Sequence, residues 1–106
     1  MPVFEIDTLK QVERVLGWRG RYFHTATMTF AHYEFERDAR IHEHRHHAEE
    51  VYQVLEGELE IVIDDVAHIV GPGRVAVVPA NARHFVKALT SGKVIVVDHP
   101  VRHEFG

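Results

Sequence analysis

From His42 to Glu50 the chain reads His-Glu-His-Arg-His-His-Ala-Glu-Glu, so four of its ten histidines fall within six residues and two carboxylates follow directly. His44 and His46 are separated by one residue. In an extended chain that spacing puts both imidazoles on one face. Glu50 lies four residues beyond His46 and shares that face if the strand continues. Two neutral imidazoles and a carboxylate form most of a shell for a divalent transition metal. The expected fourth donor is His84, which follows the turn Pro79-Ala80-Asn81 and shares a strand face with Val86 and Ala88. Three histidines and one glutamate leave positions open on a five- or six-coordinate ion. An open position implies chemistry or ligand binding, because structural metal sites are closed. Iron, manganese, nickel and zinc all tolerate these donors.

The other reading of the segment is a solvated, histidine-rich loop, in which His44 and His46 are incidental chelators. His42, His47 and Glu49 are read that way. Against extending it to Glu50 stands the apolar strand around that residue, since a buried carboxylate without a partner is costly. Tyr52 has the parity of Glu50 and is read either as a cavity wall or as core. A second place of interest is the run Val94-Ile95-Val96-Val97-Asp98, which is apolar on both faces and is predicted to be buried on both. Asp98 and Arg102 are then cavity groups, one an acid/base and the other a clamp for a carboxylate. The alternative is a strand-ending aspartate in an ion pair with the arginine.

These side chains need a rigid frame. After position 20 turns recur every five to ten residues, at Glu36–Ala39, Glu56–Glu58, Asp64-Asp65, Gly71-Pro72-Gly73, Pro79–Asn81 and Thr90–Lys93. The segments between them are rich in aromatic and β-branched residues, so they are predicted to be short strands of a sandwich or barrel. Closing the sheet removes exposed edges and leaves room inside for side chains or one small ligand. Near the start, Leu9, Val12, Val15 and Leu16 recur at helical spacing between a cap at Asp7 or Thr8 and a stop at Gly17, which predicts a short helix.

The chain has 106 residues, enough for one domain spanning 1–106. Apolar residues make up 45%, which argues against disorder. The net charge is −4 and no long basic block occurs, which argues against a nucleic-acid partner. Cysteine is absent, so there is no thiolate ligand or nucleophile. No signal-peptide pattern opens the chain and no apolar run reaches membrane-spanning length, so a soluble cytoplasmic protein is expected.

In this frame the residues resemble the cupins. The first cupin motif is Gly-x5-His-x-His-x3-Glu-x6-Gly. His44, His46, Glu50 and Gly57 fit it in register, with Asp38 in place of the leading glycine. The second is Gly-x5-Pro-x-Gly-x2-His-x3-Asn. Gly73, Pro79 and His84 fit, while Asn81 replaces the middle glycine and Ala88 the asparagine. The resemblance implies an all-β double-stranded β-helix, or jelly roll, four metal ligands, and a homodimer. A narrower likeness is to small cupins that open unsaturated uronate sugars. Pro100-Val101-Arg102-His103-Glu104-Phe105 looks like their Pro-x-Arg-x-Asp-Phe ending, and Phe35-Glu36-Arg37-Asp38-Ala39 is similar to their Phe-Glu-x-Gly-Ala. Arg102 carries over. The aspartate and phenylalanine that precede it in that group correspond here to Val96 and Asp98, and that group often has glutamine where Glu50 stands.

Three functions are therefore expected in competition. One is a metal-dependent isomerase or lyase acting on a small anionic, sugar-derived or keto substrate. The others are a ferrous dioxygenase and a non-catalytic module that binds a small ligand.

Overall fold

The computed structural model describes residues 3–105. Ten strands follow one turn of 3-10 helix at Ile6–Thr8: β1 Val12–Val15, β2 Trp18–His24, β3 Thr29–Phe35, β4 Arg40–His44, β5 Glu49–Glu56, β6 Leu59–Ile63, β7 Val66–Val70, β8 Val75–Val78, β9 His84–Ala88 and β10 Gly92–His99. They form two antiparallel sheets. The large one has the order β1-β2-β3-β10-β5-β8 and the small one β4-β9-β6-β7. This is the expected jelly roll.

The predicted helix before Gly17 does not form. Val12 and Val15 instead pair with Gly20 and Trp18 across a β1–β2 hairpin, and Leu16 is exposed in its turn. Gly17 makes that turn with φ of 84°, and a Cβ on it would meet Ala39 at 2.5 Å. An apolar spacing that fits a helix also fits a four-residue edge strand, and here the sheet prevailed over local propensity.

The turn residues behave as their types suggest. Asp38 and Asn81, which stand at two motif glycine positions, adopt φ of 69° and 65°. Both residue types tolerate the left-handed region through local side-chain hydrogen bonding. Asp64 and Asp65 are also left-handed, as a tight hairpin between β6 and β7 requires.

Each inward face changes character along the barrel. On β5, Val54, Tyr52 and Glu50 point in; on β10, Val94, Val96 and Asp98 do; on β9, Ala88, Val86 and His84 do. One end of the barrel is therefore packed with Leu59, Ile61, Val86, Val94 and Phe35, each no more than 1% exposed. The other end collects the ionisable groups. Each apolar side chain buried in this way contributes about 1.5–3 kcal/mol, which holds the polar end at a fixed geometry. The expectation that β10 is buried on both faces is corrected: Ile95 and Val97, on the outer face of the large sheet, are only half-buried.

Candidate metal centre

Two cross-strand pairs face each other at the polar end of the barrel. In the small sheet His44, at the end of β4, lies opposite His84, at the start of β9, with ring centroids 4.2 Å apart. In the large sheet Glu50 of β5 lies opposite Asp98 of β10. His46 sits in the connection that carries the chain from one sheet to the other. The expectation that His44, His46 and Glu50 share one strand face is therefore corrected. β4 ends at His44, and the three converge because the chain switches sheets between them.

The imidazoles are held in one tautomer. Nδ1 of His44 lies 2.8 Å from the His42 carbonyl, Nδ1 of His46 lies 2.9 Å from that of Ala48, and Nδ1 of His84 lies 2.9 Å from that of Ala82. A carbonyl oxygen can only accept, so each Nδ1 carries the proton and donates. Each Nε2 is left with a free lone pair. The Nε2 atoms of His46 and His84 are buried and have no hydrogen-bond partner among the described residues, and the same holds for Glu50 Oε1 and Asp98 Oδ1. Glu50 approaches His46 Nε2 at 3.6 Å and His84 Nε2 at 3.3 Å without completing a hydrogen bond. Unsatisfied buried acceptors are rare because each is costly, which marks this cluster as a candidate site for a cation. His44, His46 and His84 each offer one nitrogen within 4.8 Å of the others, and His46, Glu50 and Asp98 do the same with one ligand atom each. The donor set fits a divalent transition metal. Backbone carbonyls on the far ring nitrogens are the arrangement that orients histidine ligands.

The electrostatics divide the carboxylates. Burial works against the Glu50 anion, but His46, His84, Asp98 and Tyr52 around it prevail and hold its pKa well below the usual value. Asp98 is pushed up to about 9, by burial first and then by the neighbouring Glu50, with Arg102 opposing. The pair thus shares one proton, carried on Asp98. Burial lowers the pKa of His44. For His84 burial acts in the same direction, but the Glu50 carboxylate and the Ala82 carbonyl overcome it and raise the pKa.

Arg102 reaches this pair from the C-terminal tail. One guanidinium nitrogen lies 3.7 Å from Glu50 and 3.6 Å from Asp98, and the other side of the group holds Glu104 at 3.0 Å. Its backbone N–H donates to buried Thr29 Oγ1 at 2.8 Å, which ties the tail to β3. So Asp98 lies 3.6 Å from Arg102 and both line the cavity; the two readings of these residues are not exclusive.

That cavity has a volume of about 250 Å³ and opens from the ligand cluster toward β1 and β2. Besides His44, Glu50, Asp98 and Arg102 it is walled by Trp18, Tyr22, Tyr33, Tyr52 and Phe105. Tyr52 is therefore both core and cavity wall. His47 and Glu49 are exposed, as read; His42, also exposed, lies at the rim and supplies the carbonyl that orients His44. Sequence reasoning missed the aromatic wall and Arg14 beside it. Tyr22 and Tyr33 touch through their hydroxyls at 3.2 Å because Gly20 leaves space; a Cβ there would fall 2.7 Å from both side chains. No spacing rule links these positions, which only the β2–β3 pairing brings together.

A sequence-family model for the cupin domain matches residues 31–105. The chain is a cupin. Its fold is similar to that of an RmlC-like cupin from Shewanella frigidimarina (TM-score 0.92, 20% identity, 100% of this chain and 96% of that one). It is also similar to KdgF from Halomonas (TM-score 0.90, 22% identity, 97% of this chain and 96% of that one). A more distant likeness is to one part of Bacillus subtilis oxalate decarboxylase, a protein with Mn(II) centres (TM-score 0.82, 16% identity, 92% of this chain and 29% of that one). No curated protein matches the chain in sequence. No helix of this cupin is long and apolar enough to cross a membrane among the described residues.

Proposed function

We propose that this cupin is a mononuclear metal enzyme that isomerises a small anionic, oxygen-rich substrate of the unsaturated-uronate type. The observation that carries the reading is the set of converging ring nitrogens whose tautomers are fixed by backbone carbonyls, set beside a buried carboxylate pair that lines a cavity together with His44. His44, His46, His84 and Glu50 would hold the metal. When bound, it supplies Lewis acidity toward a substrate oxygen.

The chain's own groups do the rest. Asp98 Oδ1 is buried and unpartnered, and its residue lines the cavity, so it is placed to exchange a proton with a bound substrate. Arg102 faces three carboxylates and enters the proposal as their counter-ion: it keeps Asp98 oriented and limits the negative charge of the cluster. The aromatic wall excludes water from the transfer. Removing a proton from a substrate oxygen and returning one to carbon balances without any external oxidant. A dioxygenase would use the same metal donors but gives no role to an acid facing the cavity. The resemblance of the tail to uronate-opening cupins points the same way.

The test is elemental analysis of protein purified without a histidine tag, followed by an assay on unsaturated galacturonate. Parent protein should consume it in a metal-dependent way, and Asp98→Ala and Arg102→Ala should each lose activity while retaining metal. Parent-level activity in both variants would remove the roles assigned to them.

A further inference from the structure

The polar groups around the cavity are sorted by type. On the metal side the unsatisfied atoms are acceptors: Glu50 Oε1, Asp98 Oδ1 and the imidazole nitrogens. On the opposite side, at β1 and β2, they are donors. Trp18 Nε1 is buried without a partner, in a residue 1% exposed that lines the cavity. Arg14 also lines the cavity, and it forms no ion pair among the described residues. Its guanidinium carbon lies 5.3 Å from the Tyr22 ring and 5.5 Å from the Phe105 ring. Those two rings stack on each other at 5.2 Å with planes 8° apart. The cation is thus packed against aromatic faces, which restricts the side chain and leaves its N–H groups unclaimed.

Arg102 differs. It packs over the same Phe105 ring, at 4.4 Å, but its donors are engaged by Glu50, Asp98 and Glu104. A substrate carboxylate placed at Arg102 would meet like charge. Arg14 has no carboxylate within ion-pair distance among the described residues.

We infer that Arg14 is the specificity-determining residue that receives the carboxylate of the substrate, with the Trp18 indole N–H as a second donor to the same end of the ligand. The ligand lies across the cavity, its oxyanion at the β1–β2 wall and its reacting oxygens at the metal side. Phe105, stacked on Tyr22 and packed under Arg102, walls the cavity from the C-terminal tail. This rests on the proposed function for the substrate class, and it concerns which residue selects that class.

The protein carries its own reporter, because Trp18 is its one tryptophan and lines the cavity. Galacturonate and galacturonate methyl ester are titrated into zinc-loaded protein while tryptophan fluorescence is followed. The parent should bind the acid about tenfold more tightly than the ester, the size expected for a charge-assisted pair. Arg14→Gln should bring the acid down to the affinity of the ester and leave the ester unchanged, and Arg14→Lys should restore part of the difference. Arg14 is exposed, so these variants should fold as the parent does. An acid preference that survives Arg14→Gln, or no fluorescence response to either compound, overturns the assignment. Binding with the predicted preference but without turnover of unsaturated galacturonate would overturn the proposed activity and leave this assignment standing.

Discussion

The two sheets bring unlike pairs to the same place. The small sheet presents His44 and His84, two imidazole rings with Nε2 turned inward; the large sheet presents Glu50 and Asp98, two carboxyl groups. In each case the partners lie directly opposite across a β ladder, where side chains are close enough to interact strongly. The difference is in how each pair is satisfied. Backbone carbonyls behind the rings fix the histidines. The carboxyl pair instead settles its repulsion by keeping one proton and borrowing the charge of Arg102. On the proposed function the histidines and Glu50 would hold an ion, and Asp98 would move a proton.

The strongest way to break that division is His84→Ala. His84 is 1% exposed and stands opposite His44, with His46 and Glu50 nearby. Its loss should weaken metal binding by more than about a hundredfold, read by elemental analysis after dialysis. Circular dichroism should still report the jelly roll. Full metal retention would show that the small sheet is not the ion-holding half.

The carboxyl pair separates next. Asp98→Asn mimics the protonated acid in shape and charge, so it should keep metal within about threefold while turnover falls by about a hundredfold or more. Glu50→Gln removes the anion and should lose metal first. The metal-free proteins give an independent reading. Asp98 has a folded pKa of about 9 against an ordinary value of 3.8, so the folded state keeps its proton where the unfolded chain has lost it. Its contribution to stability is therefore present in acid and drains away as pH rises through that window. Metal-free Asp98→Asn should accordingly gain on metal-free parent between about pH 5 and pH 8 in urea melts. A constant difference would mean that the proton is not where the geometry puts it.

How far each pair was visible in the sequence follows from the same contrast. His44, His46, Glu50 and His84 were legible because short spacings and turn residues carry them. Their convergence was expected for the wrong reason, since a sheet switch at His46 does what a continuous strand face cannot. Asp98 was legible as a residue of interest but not as the neighbour of Glu50, because the β5–β10 register that pairs them joins segments far apart in the chain, which no local spacing encodes. The β1 strand was misread as a helix, and Arg14 went unnoticed with it. Edge strands of a few residues leave too short a period to read.

Acid should release the metal through the histidines in a definite order. The pKa of His84 is raised from 6.5 and that of His44 is lowered, so on descending pH His84 takes a proton first. Metal occupancy, measured by equilibrium dialysis, should fall as pH drops, because protons compete with the ion for the imidazoles. Occupancy that stays flat down to about pH 4 would argue against imidazole ligation altogether.

The smallest effect is expected where the chain departs from the motif glycines. Asn81 has φ of 65°, and its N–H donates to the His46 carbonyl at 2.8 Å, joining the turn of the second motif to the ligand loop of the first. That bond belongs to the backbone, so Asn81→Gly preserves it. Glycine removes the residual cost of a left-handed Cβ but gives the unfolded chain more freedom to lose. The two effects oppose each other, and stability should stay within about 0.5 kcal/mol of the parent, with metal affinity unchanged. Asp38→Gly, at φ of 69°, should behave alike. Asn81→Ala keeps the Cβ and loses the side chain that tolerates this conformation, so it should destabilise by about 1 kcal/mol and loosen the metal loop. If Ala and Gly proved equivalent at position 81, the turn would not be constraining His46, and the two motifs would meet through the metal alone.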